Sequence, residues 1–123
     1  MFRTCMLIDD NPLDNYINTK IIERNNFASE VVMVARPEEA VNLLREGKVK
    51  PDIIFLDIRM PVMDGFQFLE EYDKLNIDKH TIKIVMLSSS INPHDIQRAE
   101  SNKYVSRYIT KTLTPQILLE LAS

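Results

Sequence analysis

Cysteine, glycine and tryptophan are nearly missing from this 123-residue chain, which has one cysteine, two glycines and no tryptophan. A single cysteine excludes an intramolecular disulfide and a cysteine-based zinc site. Cys5 sits beside the apolar run Met6-Leu7-Ile8 and reads as a small core residue. With two glycines there is no glycine-rich phosphate loop. Histidine is scarce too: His80 and His94 are isolated in polar surroundings, which argues against a histidine-metal or histidine-base site. Positive charge is not in excess. A net charge of -3 and a pI near 5.4 exclude the concentrated basic surface that direct nucleic-acid binding needs. No apolar run approaches the roughly 18 residues of a membrane span. Asp9 and Asp10 directly follow the short apolar start, a pattern unlike a signal peptide. The expected location is cytoplasmic, with no membrane contact.

What is present is a balanced globular composition, 45% hydrophobic and 27% charged, which suits a single domain over 1–123. Short runs rich in branched residues recur at Thr4 to Ile8, Glu30 to Val34, Ile53 to Leu56, Ile82 to Leu87 and Arg107 to Thr110, and these read as strands. Helical spacing fills the intervals. The first such segment is expected to turn Ile17, Ile21 and Ile22 inward and to leave Asp14, Lys20 and Glu23 for solvent. Asn11-Pro12, Arg36-Pro37, Asn92-Pro93 and Thr114-Pro115 each place proline where a first helical turn would begin. Asp64-Gly65 can open the remaining helix, with Phe66, Leu69 and Tyr72 on one face. Strand and helix alternating five times imply parallel pairing through crossovers. The expected class is therefore α/β, a flavodoxin-like doubly wound (βα)5 sandwich whose five-stranded parallel sheet runs in the order 2-1-3-4-5.

Such sheets bind ligands beyond the carboxyl ends of their strands. At those ends the sequence places Asp9 and Asp10 after the first strand, Asp57 after the third, Ser88 at the fourth and Lys111 after the fifth. Three carboxylates, a hydroxyl and an ammonium should converge. Oxygen-only donors suit a hard cation such as Mg²⁺, with Mn²⁺ an alternative, and phosphoryl transfer needs neutralisation of this kind. Asp57, ending a buried strand, is the expected nucleophile, forming an acyl phosphate, and Ser88 can donate to a phosphoryl oxygen.

The motifs Ile8-Asp9-Asp10-Asn11, Leu56 to Gly65 (LDIRMPVMDG), Met86-Leu87-Ser88 and Tyr108-Ile109-Thr110-Lys111 resemble those of bacterial response-regulator receiver domains across essentially the whole chain. The resemblance implies a phosphoacceptor switch of a two-component phosphorelay, not an enzyme with a separate substrate. Asp57 would accept the phosphoryl group from a sensor histidine kinase or a phosphotransfer protein. Asp10 would ligate Mg²⁺ directly, Asp9 largely through metal-bound water, and Asp57 and the backbone carbonyl of Arg59 would complete the protein ligands. Lys111 would pair with phosphoryl oxygens, Ser88 would draw its loop toward them, and Tyr108 would turn inward. Phosphorylation adds roughly one and a half to two negative charges. That charge would bias the face of the fourth helix, fifth strand and fifth helix, where a downstream protein target would bind a monomer or weak homodimer.

Two departures stand out. Receivers usually follow the lysine with proline in a cis peptide, whereas Thr112 stands here; a non-proline cis bond costs roughly 2.5–4 kcal/mol, so the sequence leaves the isomer open. The glycine-containing turn before the fifth strand is also absent, and Asn102 is the expected left-handed residue there. Two other functions compete. An aspartate-nucleophile phosphatase would carry a second aspartate two residues on, where Arg59 stands. An adaptor that binds without phosphorylation would not need the intact set Asp9, Asp10, Asp57, Ser88 and Lys111.

Overall fold

The computed structural model describes residues 2–122. Five strands and five helices alternate: β1 (Phe2–Ile8), α1 (Pro12–Arg24), β2 (Ala28–Val34), α2 (Pro37–Arg45), β3 (Ile53–Leu56), α3 (Gly65–Asp73), β4 (Lys83–Ser88), α4 (Pro93–Glu100), β5 (Val105–Thr110) and α5 (Pro115–Ala122). All pairings are parallel, as the alternation implied, and the sheet order is β2-β1-β3-β4-β5, that of the expected flavodoxin-like class. The strands begin up to two residues earlier than their apolar runs, except β4, which starts at Lys83. Edge residues such as Ala28 and Val105 pair without being fully buried, so burial pattern alone does not reveal them.

Alternation along each strand sends successive side chains to opposite faces. Met6, Ile8, Ile54, Leu56, Ile84 and Met86 pack with residues of α2, α3 and α4, including Leu44, Phe68, Leu69 and Ala99. Cys5, Leu7, Ile53, Phe55, Val85 and Leu87 face Ile22 of α1 and Leu118 and Leu121 of α5. The three central strands are therefore apolar on both sides. Cys5 is fully buried and its thiol is pushed well above the ordinary range by that burial, which keeps it inert.

The helix starts follow their local chemistry. Asn11 and Asn92 cap α1 and α4 with their side chains, and Asp64 and Gln67 form a reciprocal capping box on α3. Arg36 makes no side-chain cap, and α2 begins on Pro37 alone. Two expectations are corrected. The buried stripe of α1 is Asn15, Asn18 and Ile22, while Ile17 is exposed. Those asparagines are buried because each has a partner: Asn15 donates to the Asp9 carbonyl at 2.8 Å, and Asn18 accepts from the Leu113 amide at 3.4 Å. Asn102 is not left-handed; its side chain instead accepts the Tyr104 amide at 2.9 Å in an Asx turn, which makes a positive φ unnecessary.

Candidate functional site

The winding reverses between β1 and β3, since β1 leads to β2 on one side while β3 and its successors lie on the other. The crevice at their carboxyl ends is where such sheets bind ligands. The Asp57 amide continues the pairing onto the Ile8 carbonyl at 3.0 Å and the Asp9 amide bonds the Val34 carbonyl at 3.2 Å, so both carboxylates rise from backbone fixed by the sheet. Asp9 and Asp57 are buried and Asp10 is exposed. One carboxylate oxygen from each of the three lies within 4.8 Å of the others. The Lys111 amide bonds the Ser88 carbonyl at 2.9 Å, which carries β5's end to the same place. The Lys111-Thr112 peptide is cis.

Lys111 Nζ donates to Asp9 Oδ2 at 2.6 Å, to Asp14 Oδ2 at 2.7 Å and to Asp57 Oδ2 at 3.3 Å. The other Asp57 oxygen accepts the Ile58 amide at 2.8 Å. Burial pushes the Asp57 carboxyl above the usual range and the Asp9 charge adds to this, while Lys111, the Ile58 amide and the Ser88 hydroxyl oppose it. Burial works against the Lys111 charge, yet the bonds it donates to Asp14 and Asp9 and the charge of Asp57 outweigh it and hold the ammonium well above the ordinary lysine range. The site therefore concentrates negative charge that a single ammonium only partly offsets. An all-oxygen donor set of this kind fits Mg²⁺.

Beside this centre runs a polar chain. Ser88 is fully buried and its hydroxyl accepts the Ser90 amide at 3.2 Å. Ser90 Oγ donates to Asp95 Oδ2 at 2.8 Å, Arg59 Nη2 reaches the same oxygen at 2.9 Å, and the half-buried Tyr108 donates its hydroxyl to the Ser90 carbonyl at 2.6 Å. Ser90 of the β4–α4 loop is thus held by Tyr108 of β5 and by Asp95 of α4, which Arg59 also holds.

Asp9, Asp10, Asp57, Ser88 and Lys111 are brought together, and two further acids were not foreseen. Asp14 faces Lys111 rather than solvent, and Asp95 is buried between Arg59 and Ser90. Both lie in the first turn of their helices, where an acid ordinarily complements the helix dipole. The usable signal for Asp14 was its position in the first turn of the helix that springs from the aspartate loop.

A family model described as "Response regulator receiver domain" matches residues 5–123. The chain belongs to the response regulator receiver family. The receiver is 28% identical over 113 residues to the probable methanogenesis regulatory protein FilR2 of Methanothrix harundinacea, covering 89% of this chain and 72% of that one. It is 30% identical over 120 residues to the nitrate/nitrite response regulator NarL of Escherichia coli K12, covering 95% of this chain but 51% of NarL. It spans only 20% of a similar protein-glutamate methylesterase/protein-glutamine glutaminase of Treponema pallidum. Among solved structures, a two-component response regulator from Cytophaga hutchinsonii superposes with a TM-score of 0.89 at 31% identity, over 98% of this chain and 94% of that one. The receiver is thus a regulatory phosphoacceptor of two-component signalling. Among its described residues no helix is long and apolar enough to cross a membrane.

Proposed function

We propose that Asp57 is the acceptor, taking a phosphoryl group from a phosphohistidine of a sensor histidine kinase or phosphotransfer protein. The observation that carries this reading is the convergence on Asp57 of two further carboxylates within 4.8 Å and an ammonium at 3.3 Å. Asp57 attacks phosphorus, a P–O bond forms as the donor's P–N bond breaks, and the leaving imidazole keeps the nitrogen electron pair and takes up a proton. Asp9, Asp10, Asp57 and the Arg59 carbonyl would hold Mg²⁺, which when bound offsets charge on the phosphoryl oxygens. Lys111, whose Nζ lies 3.3 Å from Asp57 Oδ2, supplies a second positive charge. Ser88, already beside Asp57, donates to a phosphoryl oxygen and pulls on the loop that Tyr108 and Asp95 also hold. The response is then a shift of the α4–β5–α5 face, where a downstream protein docks.

Intact-mass analysis after incubation with acetyl phosphate and Mg²⁺, and separately with a purified phosphohistidine donor, tests this. A phosphoryl mass gain is expected, absent in Asp57→Asn and in metal-free samples. No gain from either donor would overturn it and leave the adaptor function in its place, and a gain that survives Asp57→Asn would overturn it by placing the acceptor at another residue.

A further inference from the structure

An ammonium has three N–H donors and no more, and Lys111 has all three directed at carboxylates. The two short bonds, 2.6 and 2.7 Å, go to Asp9 and Asp14, while the bond to Asp57 is the long one at 3.3 Å. Asp14 is on α1, whose first turn is tied to the site by the Asn15 bond to the Asp9 carbonyl. Its side chain retains 30% exposure, whereas those of Asp9 and Lys111 are at 7% and 10%. Asp14 is therefore the partner that water can most easily replace.

We propose that Asp14 is a positioning residue: it parks the Lys111 ammonium on the α1 side of the site and must give it up before Lys111 can bind a phosphoryl group on Asp57. This rests on Asp57 being the acceptor. A phosphoryl oxygen arriving at Asp57 needs an N–H from Lys111. Asp9 has a competing use in the carboxylate cluster with Asp10 and Asp57; Asp14 has none, and its carboxylate gains solvent on release. Asp14 makes and breaks no covalent bond, and Lys111 keeps its proton throughout. The cost of release is added to the phosphorylated state and to the transfer that leads to it, so Asp14 sets how readily the receiver is charged.

The test is the single-turnover rate of phosphoryl gain from saturating acetyl phosphate at saturating Mg²⁺, read by intact mass for the wild type, Asp14→Asn, Asp14→Glu, Lys111→Met and the Asp14→Asn/Lys111→Met double variant. Asp14→Asn should be about fivefold faster, in the range of coupling between contacting charged residues. Asp14→Glu should return toward the wild-type rate, and Asp14→Asn should change nothing once Lys111 is methionine. A slower or unchanged Asp14→Asn overturns the proposal. So does equal acceleration in the Lys111→Met background, which would assign the effect to general charge repulsion. A second readout uses the resting protein: hydrogen exchange of the ¹⁵N-labelled Lys111 ammonium by NMR should quicken in Asp14→Asn, and an unchanged exchange rate overturns the parking contact. If the wild type takes up no phosphoryl group, the acceptor assignment fails while this exchange measurement still decides the role of Asp14.

Discussion

Gly65 lies directly beneath Asp57: a Cβ at Gly65 would fall 2.3 Å from the Asp57 carbonyl oxygen and 2.9 Å from the end of Met86. The Gly65 amide also bonds the Ile58 carbonyl at 2.9 Å, clamping the start of α3 to the end of β3. Asp64-Gly65 thus does two jobs at once, since Asp64 caps the helix and Gly65 permits the close approach. Gly65→Ala is expected to destabilise the fold by about 1–3 kcal/mol, as overpacking does, and to slow phosphoryl uptake by displacing Asp57. Urea denaturation followed by circular dichroism, with intact-mass kinetics beside it, checks both effects.

Asp57 should reduce the stability of the metal-free protein at neutral pH. Its carboxyl is raised by burial and by Asp9, so the folded state holds the proton more tightly than the unfolded chain, whose value is about 3.9. The associated stability is full below that unfolded value and is lost as pH rises through the higher folded one. Asp57→Asn, which removes the titration, should raise the melting temperature of the metal-free protein at pH 7. The gain should shrink on acidification toward pH about 4 and on adding Mg²⁺. Calorimetry across pH and metal concentration would detect an absence of either trend.

Val62 is 90% exposed and has φ 71°, a left-handed conformation that costs a β-branched residue roughly 1–2 kcal/mol. Glycine tolerates it but loses more freedom on folding. Val62→Gly should therefore raise stability by a net of about 0.5–1 kcal/mol. Thermal melting without metal measures it, and a lower melting temperature would contradict the backbone argument.

Asp95 and Arg59 form one ion pair, but their substitutions should differ. Asp95 is buried and also accepts the Ser90 hydroxyl, whereas the Arg59 side chain is 70% exposed. Asp95→Ala leaves Ser90 and Arg59 without their partner and should cost about 1–3 kcal/mol. Arg59→Ala removes a largely solvated cation and should cost under about 1 kcal/mol. Amide exchange at Ser90 to Asn92 should quicken more in Asp95→Ala than in Arg59→Ala.

The sheet, its order and the five site residues were legible because parallel strands buried on both faces leave continuous apolar runs, and polar residues at their ends are conspicuous. Helix starts were legible wherever a side-chain cap precedes proline. Asp14 and Asp95 were not, because a first-turn acid has an ordinary local explanation and the cations they meet are far away in sequence: Lys111 lies 97 positions from Asp14, and Arg59 36 from Asp95. The inward asparagines of α1 were missed for a related reason. Helical periodicity counts apolar residues, and Asn15 and Asn18 are buried only because the loops after β1 and β5 offer partners. The left-handed Val62 also had no sequence signal, since that region favours glycine or asparagine.

The bond from Lys111 to Asp9 joins residues 102 positions apart, the two ends of nearly the whole chain. No fragment and no intermediate lacking β5 can assemble the charge arrangement around Asp57, whatever local structure it retains. The three carboxylates come from the ends of β1 and β3 alone, but the cation that faces them is supplied only once the last strand has joined the sheet.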